Sequence, residues 1–305
     1  MSDNSITITF PCFNQPELLK EAVKQLEDYQ SVRKVIIDDC SPLSYKDFEC
    51  EECNIEYVRN EVNLGAINNM IKCIFFESKT DYIICHHEDD ALHKEYLKIA
   101  IDLLDADQSL AFVTCESMLF TNSIPANKEI TRTAVKKMDR HTFVMFAAEN
   151  NNFAFGSTVY RRKFLDNSKV NLRDYSMLFD RPFLADLLSE NIHGAVISDP
   201  LYFYRHHPYP DNRWKGLKIT NIYNLYKFYR DGGGTKLVSR YFFDFAGLDN
   251  KTFPDYIFFI KTLPELITPG IPRIQSLKYF SAAVFIMLFG KKQYSLVFNR
   301  LKKIQ

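Results

Sequence analysis

The chain has 305 residues, 46% hydrophobic and 25% charged, with 38 Lys and Arg against 38 Asp and Glu. That is globular composition, which excludes a disordered or fibrous chain, and a formal net charge of +0 offers no global basic field for nucleic acid. The longest late apolar run, Ser281 to Phe289, is too short to span a bilayer.

The polar start, Met1-Ser2-Asp3-Asn4-Ser5, carries no signal-peptide pattern. All seven cysteines fall at or before Cys115. An odd count without a secretory signal predicts reduced thiols in a cytoplasmic protein. Cys50 and Cys53 have the spacing of half a zinc site, but no second pair accompanies them.

Ile6 to Phe10 reads as a β-branched strand ending at Pro11. Pro16 to Gln30 reads as a helix, with Leu18, Leu19, Ala22, Val23 and Leu26 on one stripe and Pro16 in its first turn. Val35-Ile36-Ile37 is a buried strand running into Asp38-Asp39, and Ile55 to Val58 is a short strand. Gly65 to Phe76 is helical, Tyr82 to His86 is the next strand, and Leu92 to Leu97 begins a helical pattern that continues to Leu104. This alternation predicts an α/β fold with a mostly parallel sheet between helices.

Ala111 to Cys115 is another strand. Residues 121 to 137 form a polar, strand-poor, mobile loop, and Met138 to Ala148 is helical. Phe153 to Tyr160 is a strand leading into Arg161-Arg162, Pro182 to Ser189 is helical, and Ala195 to Tyr204 is the last core strand. From Ile219 to Arg230 runs an aromatic amphipathic helix stopped by Gly232-Gly233-Gly234. These boundaries place one domain at 1–214, in halves of about 1–115 and 116–214, and a helical, aromatic and basic region at 215–305. Such a helix either lies in a membrane interface or packs as core.

His86-His87-Glu88-Asp89-Asp90 follows a core strand. Three acidic side chains at a strand's carboxyl end are costly unless something positive binds there, and in open α/β sheets that edge is where ligands sit. Carboxylates plus substrate phosphates are the usual magnesium arrangement. Phe10-Pro11-Cys12-Phe13-Asn14, Asp38-Asp39-Cys40-Ser41 and Asn63-Leu64-Gly65 fall on the same edge. A nucleoside diphosphate suits that set: Asp39 can accept from a base N–H, Asn14 can bond sugar hydroxyls, and Asp90 can hold a metal on the diphosphate.

The order of these segments resembles family 2 glycosyltransferases of the GT-A fold over about residues 5 to 207. The resemblance implies inverting transfer from a nucleotide-diphosphate sugar, a UDP-sugar first, with Mn2+ or Mg2+. The acceptor it implies is a glycan hydroxyl, on a lipid-linked oligosaccharide of O-antigen or capsule type, with the protein peripheral on the inner face of the membrane. It implies that Pro11, Phe13, Asn14, Asp39, Asn63, Gly65, Asp89 and Arg205 bind the nucleotide sugar and that Asp90 binds the metal. The family's Asp-x-Asp-Asp window here reads His87-Glu88-Asp89-Asp90, with His87 in place of the first aspartate.

Gly156-Ser157 before Arg161-Arg162 resembles the family's acceptor-side turn. Asp180, followed by Arg181, stands where the family places its general base, and Asp174 and Asp186 compete for that role. Leu201 to His207 resembles the closing Tyr-Arg-x-His, so that Arg205 or His207 reaches the diphosphate or metal. Two other functions share the sheet. A nucleotidyltransferase would open with a glycine-rich loop, which Pro11 to Gln15 lacks. An inactive sugar-binding module would tolerate His87 and the single acid Asp180 where the family has a Glu-Asp pair.

Overall fold

The computed structural model describes residues 6–130, 133–149, 152–206 and 219–232. They divide between two units. The first comprises Met1–Phe143, Asn150–Val170 and Phe183–Pro210, and the second Val144–Glu149, Asn171–Pro182 and Asp211–Gln305.

The first unit is built on one sheet. Strands β1 (Ile6–Cys12), β2 (Arg33–Asp38), β3 (Ile55–Arg59) and β4 (Tyr82–Cys85) pair in the order β3-β2-β1-β4, all parallel. Parallel strands covered on both faces read as apolar runs, and Ile6, Ile8, Phe10, Ile36, Ile83 and Ile84 are fully buried. Each such side chain contributes about 1.5–3 kcal/mol on burial. Helix α1 (Pro16–Lys24) buries Leu19 and Ala22, and helix α2 (Ala66–Ile74) buries Cys73 and Ile74. α1 is shorter than its stripe implies: after Lys24 the chain tightens, and Glu27–Tyr29 is a 3-10 turn that keeps Leu26 buried.

Antiparallel pairing enters beyond β4. The sheet continues through β8 (Val159–Arg161), β6 (Leu110–Phe120) and β9 (His193–Arg205) to β5 (Ala91–Leu92), with β7 (Val135–Met138) also on β9. Helix α3 spans Tyr96–Ala106. Three sequence expectations change here. Ala91-Leu92 is strand because it pairs with Phe203 and Tyr202 of β9, so the helix starts only at Tyr96. The 121–137 segment contains β7, whose Val135, Lys136 and Lys137 are exposed, as suits an edge strand. Phe153 to Tyr160 is not one strand, because residues 155–157 turn as a 3-10 helix.

Helix α4 spans Arg140–Glu149 and α5 spans Asp180–Asp186. In the second unit, α6 (Ile219–Asp231) is tied to the 171–178 turns, where the Asn221 and Asn224 amides donate to the Asp174 carbonyl at 2.8 and 3.0 Å. Among the described residues, no helix is long and apolar enough to cross a membrane. Residues 233–305, with the expected basic tail, lie outside the described ones.

Candidate functional site

Because β1 to β4 run parallel, the segments after them emerge on one edge of the sheet. Asn14 sits there with φ of 59°, its backbone N–H donating to Ser41 Oγ at 2.9 Å, next to Phe13, which is 45% exposed. Pro11 lies within β1, paired with Ile37. Asp38 is a framework residue: Ser41 N–H, Tyr57 hydroxyl and Arg59 guanidinium all donate to its buried carboxylate.

Asp39 faces the start of α2. Its Oδ1 accepts from Asn60 Nδ2 at 2.9 Å and Leu64 N at 2.7 Å, and its Oδ2 from Gly65 N at 2.8 Å. Asn63 Oδ1 takes the same Gly65 amide at 2.9 Å. Gly65, with φ of 80°, makes the turn that aims these amides. A carboxylate has about four acceptor positions, so Asp39 retains one beyond its three protein donors.

The acidic segment after β4 splits by role. Glu88 turns inward and accepts from Phe13 N at 2.8 Å and the Tyr45 hydroxyl at 2.7 Å. Burial pushes its carboxyl up to about 7, against those two donors, which favour the charged form. His86 is fully buried between Phe10 and Tyr202, and burial lowers its pKa to about 3. His87, Asp89 and Asp90 form the remaining cluster, with one ligand-capable atom of each within 4.8 Å of the others.

Asp90 is only 2% exposed. Its Oδ1 accepts from Arg205 N at 2.7 Å, and its Oδ2 from the Tyr202 hydroxyl at 2.5 Å and His87 Nδ1 at 3.2 Å. The β5–β9 register delivers these donors, since Ala91 opposite Phe203 sets Asp90 beside the end of β9. Burial raises the Asp90 pKa, as does the Asp89 charge, while His87 and Tyr202 oppose the rise. For His87, burial works against the cation, but the Asp90 hydrogen bond and charge, with Asp89, outweigh it and hold the imidazolium up to about 9.

Gly156 permits this packing. A Cβ there would lie 2.2 Å from the Tyr202 hydroxyl oxygen and 3.3 Å from His87 Cγ. Gly156→Ala should therefore lower the melting temperature, since overpacking costs about 1–3 kcal/mol and each kcal/mol is worth roughly 2–4 °C in a domain this size. Adding Tyr202→Phe, which removes the clashing oxygen, should restore part of the loss. An unchanged melting temperature in Gly156→Ala would show that the segment yields freely.

The sequence profile of glycosyl transferase family 2 matches residues 7–168. The chain belongs to this family. No curated protein sequence matches it. Among solved structures it is similar to S. aureus TarS 1-349 in complex with UDP-GlcNAc, at 14% identity and a TM-score of 0.59, over 99% of this chain and 92% of that one. It is also similar to the mannosyltransferase PcManGT from Pyrobaculum calidifontis in complex with GDP-Man and Mn2+, at 11% identity and a TM-score of 0.53, over 94% and 88%. GalNAc-T7 with UDP, GalNAc and Mn2+ follows, at 11% identity and a TM-score of 0.51, over 82% and 52%. At such identities the likeness is one of fold, and the fold is GT-A.

In this family 2 glycosyltransferase, two residues stand differently from the sequence reading. Arg205, expected on the diphosphate, is taken up within the protein. Its guanidinium donates to the Asp89 carbonyl at 2.8 Å and to Glu21 Oε2 at 2.6 Å, and stacks on Phe120. It braces the acidic segment. Ser157, expected on the acceptor side, is fully buried, with its hydroxyl on Thr114 Oγ1 at 2.8 Å and the Ala154 carbonyl at 2.7 Å. The sequence reading missed Tyr45 and Tyr202 as anchors of the acidic segment. Tyr45 lies in the loop between β2 and the 46–48 turn, where no sequence pattern marks it, and Tyr202 lies within the segment that resembles the closing motif.

Asp180 and Arg181 belong to the second unit and form an ion pair at the first turn of α5. Burial lowers the Arg181 pKa, which the Tyr229 charge opposes. His207 lies outside the described residues.

Proposed function

We propose that the protein is an inverting, metal-dependent transferase that moves a sugar from a nucleoside-diphosphate donor, a UDP-sugar first, to a hydroxyl of a glycan acceptor. The observation that carries this reading is the His87–Asp89–Asp90 cluster at the carboxyl edge of a parallel sheet, with Asp90 anchored by three donors. The donor set fits a divalent cation: two carboxylates and the His87 imidazole, whose Nε2 is buried without a hydrogen-bond partner. A bound Mn2+ or Mg2+ would neutralise charge that develops on the leaving diphosphate.

The protein's own groups do the rest. Phe13 offers an exposed aromatic face, Asn14 a side chain in reach of solvent, and Asp39 its remaining acceptor position for a base N–H. Asp180 takes the acceptor's proton as the hydroxyl attacks the anomeric carbon. An acceptor carried on a lipid, with the 215–305 region at the inner membrane face, agrees with the basic and aromatic composition of that region. Removing the residues after 270 should then lower membrane recovery more than activity on a soluble acceptor analogue. Equal loss of both would refute the membrane role.

Thermal melts against a panel of nucleotide sugars test the donor. A UDP-sugar with Mn2+ should stabilise the protein by about 2.7 kcal/mol at a hundredfold excess over its Kd, and chelation should abolish the shift. No stabilisation by any nucleotide sugar would overturn the proposal and favour an inactive module. Asp39→Asn should weaken free UDP as well as the UDP-sugar, by roughly tenfold in calorimetric titration, because a lost charged hydrogen bond costs about 1.5–3 kcal/mol. A loss confined to the sugar-bearing ligand would remove Asp39 from the base.

A further inference from the structure

The loop after β1 turns its side chains out and its backbone in. Phe13, Asn14 and Gln15 are all exposed, yet each of their three successive backbone N–H groups is bonded to a side chain from another segment. Phe13 N donates to Glu88 Oε1 at 2.8 Å, Asn14 N to Ser41 Oγ at 2.9 Å, and Gln15 N to the Tyr45 hydroxyl oxygen at 2.6 Å. The Tyr45 hydroxyl in turn donates to Glu88 Oε2 at 2.7 Å, so one carboxylate holds the loop at both ends. Glu88, Ser41 and Tyr45 are buried, which keeps water from competing for these bonds. Asn14 sits in the left-handed region, with φ of 59°. Such a conformation persists only where its surroundings over-determine it, and it gathers at ligand clamps. Glycine-rich phosphate loops work the other way, aiming free backbone N–H groups at the anion. Here all three are already engaged.

We infer that Glu88, with Tyr45, is a positioning residue for the nucleoside part of the donor. It fixes the Phe13–Gln15 loop in its binding shape before any ligand arrives. The loop then meets the nucleoside with side chains alone and gives the diphosphate no backbone N–H. The inference rests on the reading above that this edge takes a nucleoside diphosphate. Glu88 stands between His87 and Asp89 in sequence but is not part of their cluster, and its two oxygens face Phe13 and Tyr45. A loop already held in its bound shape binds at full strength. If release of the loop leaves about one molecule in ten competent, the apparent Kd rises about tenfold.

The test titrates UDP into the full chain, with Mn2+ and again in excess chelator. Glu88→Ala and Tyr45→Phe should each raise the UDP Kd about tenfold. The factor should be the same under both conditions, because the loop acts on the nucleoside and not on an ion. Glu88→Gln keeps an oxygen for the Phe13 N–H and should stay within about threefold of wild type. In the wild-type protein, the Phe13, Asn14 and Gln15 amides should exchange slowly with deuterium before UDP is added and change little when it binds. Unchanged UDP binding in both Glu88→Ala and Tyr45→Phe, or a loss seen only with Mn2+, overturns the inference and leaves the nucleotide reading standing. Rapid exchange at the three amides without UDP does the same, and it decides the matter even if the variants fail to fold. Wild-type protein that binds no UDP overturns both.

Discussion

Asp90→Asn is expected to lower sugar transfer by at least about a hundredfold, the loss typical when an orienting group or electrostatic stabiliser is removed from a metal site. The substitution keeps the volume and removes the charge. It also breaks the local hydrogen bonding whichever way the amide sits. One oxygen of Asp90 accepts from Tyr202 and His87, the other from the Arg205 amide. An asparagine NH2 must therefore face a donor on one side, and each buried group left unpaired costs about 1–3 kcal/mol. A drop in melting temperature should accompany the loss of activity, and Mn2+ affinity should fall with it. Radiolabelled transfer assays, melts and metal titration on one preparation separate the three effects. Full activity in this variant, or undiminished activity in excess chelator, would take the cluster out of the mechanism.

The β1–β4 half was legible because buried parallel strands read as uninterrupted apolar runs, and their ends fall where the polar segments begin. Phe13, Asn14, Asp39, Gly65 and Asp90 do emerge at one edge. What the chain order could not show depends on partners far away in sequence. Ala91-Leu92 is strand only because β9 lies beside it, and that pairing brings Tyr202 to Asp90 across 112 positions. The sequence reading separated Asp89 from Asp90 and gave Glu88 no role; Glu88 turns toward Phe13 and Tyr45, and His87 joins Asp89 and Asp90 instead. Ser157 looked like a small, accessible turn residue, but β6 and the Ala154 carbonyl enclose it.

Arg205 carries the same lesson in the opposite direction. Its position near the end of the last strand matches a diphosphate contact, but Glu21 on α1 and the Asp89 carbonyl occupy its guanidinium. With backbone and side chain both tied to the acidic segment, Arg205 links α1 and β9 to the His87–Asp89–Asp90 cluster. A preorganised site of this kind stabilises developing charge without reorganising at the moment of reaction.

Asp180→Asn is expected to cut turnover by roughly 10²–10⁴-fold, the usual contribution of positioned proton transfer, while donor affinity changes little. On the inverting mechanism proposed above, one carboxylate takes the proton of the attacking hydroxyl. The two competing aspartates are engaged elsewhere. Asp186 accepts from Lys169 N at 2.6 Å, Val170 N at 3.0 Å, and Ser168 Oγ and Arg140 Nη1, both at 3.2 Å, which makes it a pin for the 168–170 turn. Asp174 pairs with the Asn171 amide at 3.1 Å in an exposed 3-10 turn, and its carbonyl receives α6. Asp180, in the first turn of α5, has Arg181 as its ionic partner. Asparagine preserves the shape and the helix start while removing the basicity, so kcat should fall with the fold and the UDP-sugar Kd retained. Asp186→Asn should instead lower the melting temperature with a smaller effect on turnover. If Asp180→Asn keeps near-normal kcat and Asp174→Asn does not, the proton goes to Asp174.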